Sequence, residues 1–401
     1  MKRVVITGLG IVSPIGIGKD AFCDGLFKGI SGIRPVTLFD TALYKVKTAG
    51  EITDFTPEAF LGAKGLRTLD RSTKLVSSAT KLVLDDAKLA ISEKNSGQVA
   101  MAVGSTLGSI KSISDFDREA LVEGPRYVNP ALFPNTVINS AASQVSIRFN
   151  IKGFNATLST GYSASLDAIN YAADFLRLGR IKAVLAGGVE ELCEQLFIAF
   201  YKTGCMAGLS EGGAELSCPY DLRRNGVLLG EGSAILALED LDSALERKAR
   251  ILAEIKGFSS CLDKDSGIER AMRGALKQAG LNPGDVDCIL AGANSSTEGD
   301  RQEAKAIKDV FAKEAKSLYI SAVKSMVGEQ YSNSGALQAA AAVSAIEKQM
   351  LPPTINYQDK DPLCDLNIVT KAQGAKVKNI LINSFGKGGI SSSLLISKFE
   401  I

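Results

Sequence analysis

Short apolar runs rich in Val, Ile and Leu alternate along the chain with longer stretches whose apolar residues recur every three or four positions. The first pattern predicts strands and the second predicts helices. Strands are predicted over Val4–Thr7, Val99–Val103, Ala183–Ala186, Ala234–Leu238, Cys288–Ala291 and Ile380–Ile382. Helices are predicted over Lys74–Lys88, Ser165–Leu178, Ser243–Lys248, Gly267–Gln278, Arg301–Phe311 and Gly335–Gln349, the last stopped by Pro352-Pro353. This alternation reads as an α/β protein with buried sheets. The order of elements also repeats. Val4–Gly8 is matched by Leu252–Gly257, Val99–Ser105 by Ile289–Ser295, Thr157–Leu178 by Leu318–Gln349, and Ala183–Gly188 by Ile380–Ser384. The repeat predicts two similar α/β halves, 1–250 and 251–401, packed as one body. Their strand-to-helix loops gather at a shared end, where such folds place their sites.

Composition narrows the chemistry. Of 401 residues, 45% are hydrophobic and 22% charged, ordinary for a well-cored protein. Lys and Arg number 46 against 44 Asp and Glu, a net charge of +2, which argues against nucleic acid or an anionic membrane as the main partner. There is no histidine at all. Ser-His and Cys-His couples are therefore excluded, as is any histidine ligand. The seven cysteines form no CxxC pair, so no metal site and no cofactor are expected. Their odd number and wide scatter suit reduced thiols in a cytoplasmic protein. Met1-Lys2-Arg3 leads directly into the first predicted strand, and no signal peptide is expected. The most apolar long stretch, 335–346, is too short to span a bilayer.

Four segments carry candidate chemistry. Gly8-Leu9-Gly10 lacks the third glycine of a dinucleotide fingerprint, having Ser13 there, and reads as a tight strand-to-loop turn. Gly161-Tyr162-Ser163-Ala164-Ser165 nearly matches a nucleophile elbow at a helix N-terminus; Ser163 is an alternative nucleophile, with Lys324 as its base in place of histidine. Lys324 and Glu329 stand five residues apart. They read either as an active-site lysine or, more ordinarily, as an ion pair filling a polar pocket. The glycine-rich run 383–389 would cradle phosphate or let the backbone approach another loop; the second reading is preferred, with Phe385 pointing into the site.

Together these pieces resemble the β-ketoacyl-acyl-carrier-protein synthases of the thiolase fold, over essentially the whole chain. The resemblance is carried by 3–14; by 219–226 with Gly230-Glu231-Gly232; by Lys324-Ser325-Met326-Val327-Gly328; by Pro352-Pro353-Thr354-Ile355-Asn356; and by Asn383-Ser384-Phe385-Gly386. It implies a layered α-β-α-β-α arrangement of the two halves. The departures are informative. Tyr162 stands where an active ketosynthase has its nucleophilic cysteine. Gly292 and Glu329 replace the two histidines that assist decarboxylation, Lys387 replaces a second aromatic of the final loop, and Lys324 alone stays. A phenol, with a pKa of ~10, is a poor acyl acceptor near neutral pH. Decarboxylation also needs donors aimed at the developing enolate. No catalytic residue is expected, and the chain should not run the condensation by itself.

What the resemblance implies instead is a non-catalytic subunit similar to a chain length factor. Such a subunit forms a heterodimer with an active ketosynthase, works with an acyl carrier protein, and closes the far end of the acyl tunnel in polyketide, polyene or fatty-acid-type elongation. Relatives of that kind commonly carry Gln where this chain has Tyr162. Candidate tunnel and interface residues are Leu107, Ser109, Ser112, Phe116 and Phe133; ordinary interface packing is the equal alternative. Lys64, Arg67, Arg71 and Lys74 recur at helical spacing and offer a basic face to an acidic carrier, or a plain solvated face. Two other readings stay open: a homodimeric acyl transferase or hydrolase using Ser163 and Lys324, and a carrier-binding protein without catalysis.

Overall fold

A computed structural model describes residues 2–400. Its frame is ten strands: β1 (Val4–Ser13), β2 (Val99–Gly104), β3 (Asn155–Leu158), β4 (Ala183–Glu190), β5 (Gly232–Asp240), β6 (Ala253–Leu262), β7 (Cys288–Leu290), β8 (Tyr319–Ser321), β9 (Asn379–Phe385) and β10 (Ile390–Ser397). They run in the order β3-β2-β4-β5-β1, then β6-β10-β9-β7-β8. Read from β8 inward, the second set is β8-β7-β9-β10-β6, the first with every strand number raised by five. In each set three strands are parallel and the last two antiparallel. The sets meet where β1 pairs with β6, Val4 facing Ile255.

The helices that matter here are α1 (Arg71–Asp86), α2 (Ile110–Val122), α3 (Ser140–Arg148), α4 (Ala164–Arg177), α5 (Glu194–Lys202), α6 (Gly267–Ala279), α7 (Thr297–Phe311) and α8 (Ser334–Lys348). α4 and α8 pack on each other and form the middle layer between the strand sets; α1 with α3, and α6 with α7, cover the outer faces. Every residue of α8 from Ser334 to Ile346 is buried. A helix surrounded on all sides must be apolar or small all round, and the alanines of this stretch meet that need. Leu166 of α4 and Leu337 of α8 anchor the layer; burying each stabilises the fold by ~2 kcal/mol.

β1 corrects the reading of Gly8 and Gly10 as a turn. The strand runs straight through both glycines to Ser13. A β-carbon on Gly10 would lie 1.9 Å from the Ala79 carbonyl oxygen, and one on Gly8 would lie 2.7 Å from Ala87. The glycines let α1 press onto the strand, so they serve helix packing. α1 itself begins three residues before the predicted start. Asp70 caps it, its carboxylate accepting the Thr73 N–H at 2.6 Å.

Candidate active site

β3 ends at Leu158, and a tight turn over Gly161–Ser163 leads directly into α4. Gly161 has φ +68°, a conformation that favours glycine. The turn is tied down from two sides. Thr160 donates to Asp167 at 2.5 Å, while Ser384 Oγ of β9 donates to the Tyr162 carbonyl at 2.7 Å. Ser163 Oγ is buried and donates to the Ser384 carbonyl at 3.2 Å.

The half-buried Tyr162 ring lies across the backbone of Gly386, where a β-carbon would be 2.4 Å from its Cδ2. Its centroid is 4.4 Å from that of Tyr331, at 75°; Tyr331 in turn meets Phe200 of α5 edge-on at 5.8 Å. Three aromatic rings thus fill the space in front of the elbow. Burial, then the negative charge of Glu329, holds the Tyr162 phenol well above its ordinary pKa. At neutral pH it is a neutral phenol, with almost no phenolate to attack a thioester.

The opposing wall comes from the loop after β8. The Lys324 side chain is 2% exposed, and Nζ donates at 2.9 Å both to the Gly292 carbonyl and to Glu329 Oε2. Asn294 Nδ2 donates to the same carboxylate oxygen at 2.7 Å. The other oxygen accepts the Tyr331 N–H at 2.9 Å and Ser334 Oγ at 2.6 Å. Four donors therefore occupy Glu329. Its charge is neutralised within a closed network and is not offered to a ligand as a base.

Gly292 and Phe385 complete the floor. The Gly292 N–H donates to Glu303 Oε1 at 2.9 Å, an oxygen that Asn383 also reaches at 3.0 Å. A β-carbon on Gly292 would lie 2.7 Å from Phe385 Cε1. The phenyl ring fills the volume that any side chain at position 292 would need.

Tyr162, Gly292, Lys324, Glu329 and Phe385 therefore converge on one site. No hydrogen bond joins Ser163 to Lys324, because each is spent elsewhere. Tyr162 contacts Tyr331 and Gly386 rather than Lys324. Lys387 is exposed. Sequence patterns do not single out Tyr331, Phe200 or Asn294; an aromatic residue in the Glu329-Gln330-Tyr331 run is the available signal. The buried thiols offer no substitute nucleophile. Burial pushes Cys193 and Cys218 up to about 12 and Cys364 up to about 11. Cys193 lies in the loop after β4. Cys205 is half-buried near Tyr162 and is held by Thr203 Oγ1 at 2.9 Å. Among the described residues no group of three or more Cys, Asp or Glu side chains is placed to hold a metal ion. No helix among them is long and apolar enough to cross a membrane.

The remaining candidates lie in the loop after β2, in α2 and in the turn 130–136. Leu107 and Ile110, the latter not singled out in the sequence, pack with Phe200 and Leu192. Ser109 caps α2 and accepts the Ser112 N–H. The rings of Phe116 and Phe133 are 6.0 Å apart, and Phe133 is 58% exposed. Leu121, Tyr127, Ile138 and Ile147 are also exposed, and Ile147 lies on α3, which packs on β3, the unpaired edge of the first strand set. Arg71 departs from the expected basic face. Its guanidinium turns inward: Nε and Nη2 donate to the buried Glu231, and Nη2 also reaches the Ile52 carbonyl.

The fold defines a thiolase-fold, ketosynthase-like framework. The family profile described as Beta-ketoacyl synthase, N-terminal domain, matches residues 1–244, and Beta-ketoacyl synthase, C-terminal domain, matches 255–358. The chain is 35% identical over 408 residues to 3-oxoacyl-[acyl-carrier-protein] synthase 2 of Coxiella burnetii, covering 99% of each chain. It is 34% identical over 410 residues to the Synechocystis protein of the same name, covering 100% of this chain and 99% of the other. Among solved structures, the ishigamide ketosynthase/chain length factor superposes with a TM-score of 0.92 at 32% identity, covering 100% of both chains. A type II polyketide ketosynthase in complex with its acyl-carrier protein and bound to the hexaketide gives 0.90 at 28% identity, covering 99% of this chain and 100% of the other. The chain belongs to the β-ketoacyl synthase family.

Proposed function

We propose that this chain is a non-condensing β-ketoacyl synthase homologue that pairs with an active ketosynthase and shapes the acyl tunnel, in the manner of a chain length factor. The observation that carries the reading is the elbow. A neutral, half-buried phenol stands at the nucleophile position, and the histidine positions hold a bare backbone and a neutralised carboxylate. Decarboxylative condensation needs a thiolate and donors to an enolate oxygen. Neither is provided. The rings of Tyr162, Tyr331 and Phe200 stand in contact at the elbow, where an acyl chain would have to be held.

The unpaired edge β3 and the apolar residues around it support a partner of the same fold. Leu107, Ser109, Ser112, Phe116 and Phe133 are the proposed tunnel and interface residues. An acyl carrier protein delivers substrate to the pair, with Lys64 and Arg67 as the exposed part of a basic face and Lys74 half-buried beside them. The test is a pull-down from the native cells. Equimolar recovery of a homologue carrying cysteine and both histidines is expected, together with intact mass showing acylation on that partner alone. An acyl adduct on Tyr162 or Ser163 would refute the reading.

A further inference from the structure

A crevice opens between the starts of α1 and α2 and the loop after β4, with Asp70, Ser109, Ser112, Glu191 and Gln195 in its wall. Ser109 Oγ lies 2.8 Å from Ser112 Oγ and 3.2 Å from Glu191 Oε1. Glu191 Oε2 accepts the Ser72 N–H at 3.1 Å. Glu191 is buried, and burial together with Asp70 pushes its carboxyl up to about 7.

The hydrogens decide what this row of three groups offers. Ser109 has one hydroxyl hydrogen and cannot donate to both neighbours. With Glu191 protonated, its O–H serves Ser109, Ser109 serves Ser112, and the Ser112 O–H is left to donate. With Glu191 ionised, Ser112 serves Ser109, Ser109 serves Glu191, and the Ser112 oxygen is left to accept. In both states the row ends in an unused hydrogen-bonding position on Ser112, in the crevice wall. An alkyl end placed there strands a polar group; a hydroxyl satisfies it in both states, and a carbonyl oxygen satisfies it when Glu191 is protonated and Ser112 has its hydrogen to donate.

Resting on the tunnel reading above, we propose that this wall is a polar seat for an oxygen-bearing end of the growing chain. Ser112 is the residue that contacts it. Glu191, acting through Ser109, is its positioning residue.

The test uses the complex isolated with its native partner and two starter thioesters of equal length, one ending in a methyl group and one in a methyl ketone. At pH 6, where Glu191 holds its proton and Ser112 donates, the native complex should show the higher kcat/KM for the ketone. Ser112→Ala should lower that preference about tenfold, the equivalent of one hydrogen bond, chiefly through KM. Glu191→Leu should do the same. Glu191→Gln, whose amide still donates to Ser109, should keep the preference. A native ratio near one, or a ratio unmoved by Ser112→Ala, overturns the polar seat. If Ser112→Trp still shortens the product in that case, the tunnel reading stands without it. Product length indifferent to Ser112→Trp takes Ser112 out of the tunnel and overturns the seat; no partner recovered overturns both.

Discussion

Phe385 occupies the room of the side chain that Gly292 lacks, its Cε1 2.7 Å from where a β-carbon would stand. The two positions are therefore physically coupled, since the ring and a side chain at 292 exclude each other. Gly292→Ala should destabilise the chain by ~1–3 kcal/mol through overpacking. In a Phe385→Ala background the same substitution should cost much less. A double-mutant cycle by urea unfolding measures this, and simple additivity would show that the ring moves aside freely.

Lys324 and Glu329 form a buried pair whose charges are compensated by each other and by neutral donors, with the buried Glu303 also near enough to feel the Lys324 charge. Removing one partner strands the other. Lys324→Met alone should cost ~3–5 kcal/mol, and the double variant Lys324→Met/Glu329→Gln less than the sum of the singles. Equal and additive losses in thermal unfolding would contradict the pairing.

Burial raises three carboxyls far from their ordinary values: Glu190 from 4.5 to about 8, Glu191 from 4.5 to about 7, and Asp300 from 3.8 to about 7. Each holds its proton more tightly in the folded chain than in the unfolded one. Their stabilisation is complete below the ordinary values and is lost as pH rises through 7 to 8. Asp221 has the opposite sign. Burial opposes its ionisation, but hydrogen bonds from Arg223 and backbone N–H groups hold it at about 2, so its stabilisation is lost as pH falls below 3.8. Tm should accordingly fall between pH 4.5 and 8, and Glu190→Gln should flatten that slope. A Tm that climbs over the same range would contradict the burial of these acids.

Ile147 sits on α3 beside the edge strand, where Asn155 Nδ2 donates to Ser146 Oγ at 2.6 Å, and is 75% exposed. Ile147→Asp should leave the isolated chain's stability within ~0.5 kcal/mol. It should also abolish recovery of the ketosynthase partner, because an interface core does not accept an unpaired charge. Retained partner binding would place the interface elsewhere.

Bulk at the tunnel end should set product length. Ser112→Trp is expected to shorten the product made by the pair, read by mass spectrometry of the released chain. An unchanged length would remove Ser112 from the tunnel.

Much of this protein is legible in its sequence. Apolar periodicity locates the strands and the middle helices, and the repeated order of elements implies the doubled strand order. The absence of histidine excludes a family of mechanisms outright, since a missing residue type is absent from every conformation. Signature segments lead to the family, and Tyr162, Gly292 and Glu329 stand out against it because each occupies a position whose chemistry is demanding.

Tertiary structure alone decided the rest. Gly8 and Gly10 read locally as a turn, but they answer to α1, which packs on them from some seventy residues away in sequence. Arg71 reads as one step of an exposed basic face until Glu231 claims it. Lys324 and Glu329 read already as an ion pair in a polar pocket; that Asn294, Tyr331 and Ser334 close the network around the carboxylate does not show in the sequence. Local patterns follow from backbone geometry and burial, which act residue by residue along the chain. Which distant side chain fills a cavity or spends a charge depends on packing between segments, and no window of sequence contains that information.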